Sequence, residues 1–306
     1  MQNNSVLSGF LLSAIIVAAG IAGWDDDEVV RGAYFGQPLP GTVPELFAPH
    51  LFDADQGYHS SPVFSPDLSE AIWSPMENEH RLMYTRMTGG IWSTPRELNF
   101  GFDRGAGDAT FSVDGSMIFF LSFQLPRPDM GERERIWYTM REGKSWSAPI
   151  LIDEVICVHP THWTFSLANN RNLYFTSEME GVKGEQDIYV ARFDGKKYLP
   201  PEDVGNAVNS GGKDLTPFVS PDEQYLIFSR IGADTRKADL YISYKDPHGN
   251  WSKAINLGEG INSEHHDLCP VVTPDGKYLF FISQREGKSR IYWVRVSLRD
   301  PEPGSE

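Results

Sequence analysis

The residues best suited to chemistry in this chain are histidines and aspartates set just ahead of apolar, strand-like runs. Five of the eight histidines, His59, His159, His162, His265 and His266, fall in such places, and so do Asp108, Asp214 and Asp267. Neutral imidazole with carboxylate suits zinc or manganese, and carboxylates alone suit calcium. Two carboxylates facing each other suit acid–base work on a glycosidic bond. With Arg230, Arg285 and the ring of Trp163 nearby, the same groups suit a sugar or peptide ligand. A third reading needs no ligand: polar residues at strand starts satisfy open backbone groups and hold channel water.

Their spacing gives no local motif. The histidines lack the tight spacing of a metalloprotease helix, and no Gly-rich phosphate loop precedes a helix. No Gly-x-Ser-x-Gly elbow is present. These side chains can act together only if the fold collects them from far apart in the chain.

A repeat supplies the means. Leu268 to Val296 reads as strand, Pro274-Asp275-Gly276-Lys277 turn, strand, polar loop, strand. Asp-Gly between apolar runs signals a tight hairpin, because both residues tolerate positive φ. Matching the end of the second strand gives Trp73, Phe120, Phe175, Phe228 and Phe281, at intervals of 47, 55, 53 and 53. Matching the third strand gives Met83, Trp137, Tyr189, Tyr241 and Tyr292, at intervals of 54, 52, 52 and 51. A fourth strand follows the first four repeats, led by Trp92, Trp146, Tyr198 and Trp251. Such a period means a solenoid or propeller.

The second strands (Met117–Leu121, Tyr225–Phe228, Tyr278–Ile282) are apolar on both faces, so both faces must be covered. The fourth strands carry Pro95, Pro149 and Pro201; proline donates nothing to a ladder and belongs on an edge. The last repeat has no fourth strand. Thr42–Phe47 matches Ser93–Leu98 in its proline and apolar ending, so it is expected to complete the last sheet. The expectation is an all-β, five-bladed β-propeller of four-stranded antiparallel blades over 42–298, closed by the N-terminal strand. Trp73, Trp92, Trp137, Trp146, Trp251 and Trp293 are then core.

Ser65-Pro66-Asp67, Ser220-Pro221-Asp222 and Thr273-Pro274-Asp275-Gly276-Lys277-Tyr278-Leu279, followed by pairs such as Ile188-Tyr189 and Ile291-Tyr292, resemble TolB-like β-propeller repeats. The resemblance covers roughly Thr42 to Ser297. It implies a periplasmic propeller-repeat protein; the family's partner-binding role in the envelope belongs to a six-bladed propeller with an added N-terminal domain, and with five copies here that role does not carry over. Similar repeats also occur in oligogalacturonate lyases and in the propeller caps of some serine peptidases, so the fold alone assigns no activity.

In a propeller the first strand of each blade lines the channel and starts on the face of the loops between second and third strands. Counting back from each turn's Ser or Thr brings His59, Asp108, His162, Asp214 and Asp267 to one mouth. Trp163, Arg230, His266 and Arg285 join them as the expected ligand-binding set. No catalytic residue is assigned. A divalent cation at this cluster, serving a polysaccharide lyase or glycoside hydrolase, is the alternative to a binding module for a protein or glycan.

Composition narrows the partners. The 306 residues carry a net charge of −15, which disfavours nucleic acid and anionic lipid surfaces, where Lys and Arg must displace counterions. Val6–Gly23 is an apolar run with Gly20 and Ala22 placed for signal cleavage, although 1–5 hold no Lys or Arg. It is nearly long enough for a membrane anchor. A signal or an anchor puts the rest in the periplasm or outside the cell; a buried helix is the third reading. Residues 24–41 read as a linker and 299–306 as a polar tail. Cys157 and Cys269 are expected as small buried hydrophobes or as a disulfide pair.

Overall fold

The computed structural model describes residues 29–52, 57–76, 81–157, 159, 162–179, 185–232 and 234–298. The expected signal or anchor at Val6–Gly23 and the tail 299–306 lie outside these. Among the described residues, no helix is long and apolar enough to cross a membrane.

The repeat motif builds the hairpins that it promises. In the second repeat the Ser112 hydroxyl donates to the Asp114 carboxylate at 2.6 Å and accepts the Met117 N–H at 2.9 Å. Gly115 N–H closes the turn on the Ser112 carbonyl at 2.8 Å. The Ser112 hydrogen bond holds the Asp114 carboxyl below its ordinary value. Thr273 and Asp275 repeat the pattern in the last blade. Each turn fixes the register of the first strand on the second.

Five sheets result. The inner strands are Val63–Phe64, Gly107–Phe111, His162–Leu167, Lys213–Val219 and Asp267–Val272. Each pairs antiparallel with a second strand, which pairs with a third. The fourth strand is short everywhere. In blades one and two it splits around Pro95 and Pro149 into Ile91–Trp92 with Arg96–Glu97 and Ser145–Trp146 with Ile150–Leu151. That is the edge behaviour expected of proline. The one α-helix among the described residues is the four-residue Glu154–Cys157.

The ring closes through the N-terminal strand. Glu45 pairs with Trp293 and Leu46 with Tyr292, antiparallel. Phe47, 1% exposed, meets Phe280 edge-on at 4.8 Å and Trp293 at 5.1 Å. Side chains also stitch blade to blade. Ser61 Oγ donates to the Cys269 carbonyl at 3.0 Å, Asp108 N–H to Ser74 Oγ at 2.9 Å, and Val219 N–H to Ser166 Oγ at 2.8 Å. The second strands are buried from end to end in four blades, as in Met117–Ser122 and Tyr278–Ser283, and over the four central residues of Tyr225–Ile231 in blade four. Each fully buried Phe or Ile contributes about 1.5–3 kcal/mol.

Two sequence expectations change, while the reading of the two cysteines as small buried hydrophobes holds. The stretch read as a linker contributes Tyr34 and Phe35 to the core between blades five and one; its Gly and Pro content had concealed two anchors. Cys157 and Cys269 are both free and buried. The third repeat is misregistered: its turn begins two residues late, and one extra residue in its bulge leaves the strand head shifted by one. Its turn starts at Ala168, whose N–H bonds the Asn172 carbonyl, not at Ser166. His162 therefore lies opposite Thr176, as Leu215 lies opposite Ser229. Trp163, not His162, is the counterpart of Thr216.

Every inner strand from blade two to blade five has a β-bulge near its head. Asp108, Trp163, Thr216 and Cys269 occupy the bulges with φ of 47°, 64°, 50° and 53°. Ser61 is their counterpart in blade one. Bulges re-aim side chains, and here they divide the channel into two halves.

Candidate functional site

Blades one, two and three meet at the mouth. His59 follows Tyr58, which is bridged to Pro75, and its N–H donates to the Ser74 carbonyl at 3.0 Å. Its Nδ1 lies 3.0 Å from Asp108 Oδ1. The Asp108 side chain is 1% exposed and that of His59 34% exposed. Positive φ is unusual for most side chains but tolerated by Asp. Ser74 Oγ, accepting the Asp108 N–H, holds the backbone there.

Trp163 reaches the same place from blade three. Its ring stacks on His59 with centroids 5.5 Å apart and planes 19° from parallel. A bulky residue at φ 64° is a backbone outlier, and such strain persists only where surroundings enforce it. Glu134 precedes the third strand of blade two. Burial, and then the negative charge of Asp108, push its carboxyl up to about 7, against the opposing pull of His59. The hydrogen bond that His59 donates to Asp108, together with the carboxylate's charge, raises the imidazole above its ordinary value. At neutral pH the site holds an imidazole biased toward its charged form, a carboxylate in contact with it, and a carboxyl that exchanges its proton. Such a set can accept and donate hydrogen bonds to hydroxyls and present an aromatic face.

The other expected residues lie elsewhere in the mouth and are held within their own blades. Asp214 is fully buried. It accepts the Ser210 N–H at 2.7 Å, the Ser210 hydroxyl at 2.9 Å and Arg230 Nε at 2.6 Å. Arg230 also reaches the Val208 carbonyl and lies over the Tyr241 ring at 4.7 Å. Blade five copies this latch. Asp267 accepts the Ser263 N–H and hydroxyl at 2.6 and 2.9 Å and Arg285 at 3.2 Å. Arg285 caps the Ile261 carbonyl at 2.8 Å and covers Tyr292 at 4.6 Å. Both latches tie the loop from the preceding fourth strand to the inner strand. His266 Nδ1 accepts the Ala238 N–H at 3.1 Å, and His265 is exposed. The His162 side chain lies outside the described residues.

The structure thus joins His59, Asp108 and Trp163 from the expected set and adds Glu134. Its one sequence signal is position, in the loop between second and third strands that faces the mouth. Among the described residues, no group of three His, Cys, Asp or Glu side chains stands close enough to hold a metal ion.

No protein-family model matches the sequence. No curated protein matches it either. Solved structures do. A protein assigned as TolB from Agrobacterium tumefaciens superposes with a TM-score of 0.53 at 18% identity, over 78% of this chain and 76% of that one. An endo-arabinase from Bacteroides thetaiotaomicron gives 0.52 at 10% identity, over 86% of this chain and 98% of that one. TolB from Acinetobacter baumannii gives 0.49 at 13% identity, over 76% of this chain and 53% of that one. At these identities the likeness establishes the fold, a TolB-like β-propeller, and leaves activity to the residues.

Proposed function

We propose that this TolB-like propeller is an exported binding module that takes a glycan or a protein segment at its channel mouth. The convergence of His59, Asp108, Glu134 and Trp163 from three blades supports the reading. Three of these four are polar groups able to pair with hydroxyls or amides, and the fourth is an aromatic ring for stacking. The arrangement needs no cofactor to bind. Export rests on the apolar run at Val6–Gly23.

The experiment is a binding screen of the purified chain against an immobilised glycan panel and cell-envelope proteins, repeated with Trp163→Ala and Glu134→Gln. The expected result is a specific ligand whose affinity falls about tenfold or more in both variants, with melting temperatures near wild type. Equal binding by wild type and both variants removes the mouth as the site.

A second reading, glycoside hydrolysis, draws on one observation. Glu134 keeps a proton to about pH 7 beside the Asp108 carboxylate, and an acid and a base of separated affinity are what that chemistry requires. Turnover of any panel glycan, lost in Glu134→Gln, would favour it over binding alone.

A further inference from the structure

The lower half of the channel is built differently. Below the bulges lies a cavity of about 230 Å³ whose walls come from all five inner strands. None of His59, Asp108, Trp163, Asp214 or Asp267 lines it. The register places two rings of side chains there. The residues just past the bulge position are Pro62, Ala109, Pro217 and Pro270, with Phe165 in the third blade, where Thr164 is an extra residue. The next ring includes Val63, Phe218 and Val271, all half-buried and lining the space.

Two features define what fits. First, three of the five positions in the upper ring are proline, which has no N–H, so donors that a bulge would leave open toward the channel are absent. Second, among the described residues no Asp, Glu, Lys, Arg or His lines the cavity, in a chain of net charge −15. Of the eight hydroxyl-bearing residues in the wall, Ser61 donates to the Cys269 carbonyl, Ser112 to Asp114 and Thr273 to Asp275, and Ser166 accepts the Val219 N–H; the others are Ser60, Thr110, Thr164 and Tyr225.

We infer that this cavity is a second binding site, separate from the mouth, for a small uncharged apolar molecule such as an aliphatic or aromatic hydrocarbon group. Five blades hold the walls at fixed spacing, so the site is preformed. A charged ligand finds no counter-charge and would lose its hydration uncompensated.

The test uses the full chain and the neutral fluorescent probe N-phenyl-1-naphthylamine. Saturable binding with enhanced fluorescence is expected. Val271→Trp, which fills the space, and Val63→Asp, which adds a charge, should each weaken it about tenfold or more. Glu134→Gln and Trp163→Ala should leave it unchanged. Circular dichroism melts confirm that each variant folds, and the two wall variants, on the inner strands of two different blades, back each other. Absence of saturable binding, or wild-type affinity in the folded wall variants, overturns the assignment. So does binding that appears only when residues 1–28 are removed, since the chain's own apolar stretch would then hold the cavity.

Discussion

The two ends of one channel are lined by the same five strands, yet they differ in every property that a ligand would sense. At the mouth, equivalent bulge positions carry Ser61, Asp108, Trp163, Thr216 and Cys269. One position further, the residues are Pro, Ala, Phe, Pro and Pro. Three of the five copies share proline past the bulge, whereas no two copies agree at the bulge itself. A repeat protein needs the same side chain wherever blades meet in the same way. Where copies differ at a shared backbone position, packing does not dictate the choice, and a site can be built.

The comparison also separates two kinds of carboxylate at the mouth. Asp214 and Asp267 repeat the same latch, each with a serine four residues before it and an arginine over a tyrosine. Asp108 and Glu134 have no such twin. Asp267→Ala strips the half-buried Arg285 of its carboxylate partner, and the cost approaches the lower end of the about 3–5 kcal/mol for breaking a buried pair. The expected outcome is a large fall in melting temperature, with ligand affinity at the mouth unchanged in the folded fraction. A loss of affinity without loss of stability would merge the two classes.

Glu134→Gln should act in the opposite sense. The folded protein holds the Glu134 proton to about 7, above the ordinary value of 4.5. Folding therefore takes up a proton between those values. The associated stability is fully present below about 4.5 and is lost as pH rises through 7. His59, also raised, adds a loss of the same sign above its ordinary value of 6.5. Denaturant melts should show Glu134→Gln more stable than wild type at pH 8, by on the order of 2 kcal/mol, and little different at pH 4.5. Parallel pH profiles for the two proteins would show that the carboxyl is not desolvated.

Much of this was legible in the sequence. The turn motif, the doubly apolar second strands and the edge prolines set out five blades and their closure by Glu45–Leu46, because each is a local requirement repeated many times. The site was legible only in part. His59 and Asp108 follow from counting along the repeats, and Trp163 from standing next to the counted His162 as a stacking surface. Asp214 and Asp267 share their position at the strand head, and nothing in one sequence marks their oxygens as filled by Ser210 and Ser263. The net one-residue shift in blade three stems from the extra residue in its bulge and from a turn whose Ala168 replaces the usual Ser or Thr, so Ser166 was the natural but incorrect origin. Glu134 lies in a long irregular loop, where periodicity gives no address. Tyr34 and Phe35 sit among glycines, and their burial depends on a contact between the first and last blades that no local pattern encodes.

The account rests on the mouth being one desolvated, coupled cluster, and the carboxyl titration of Glu134 by carbon-13 NMR, assigned with Glu134→Gln and repeated in Asp108→Asn, tests this most directly. It predicts a midpoint near 7 in the wild type and a lower midpoint once the Asp108 charge is removed. A midpoint near 4.5, unmoved by Asp108→Asn, would contradict it.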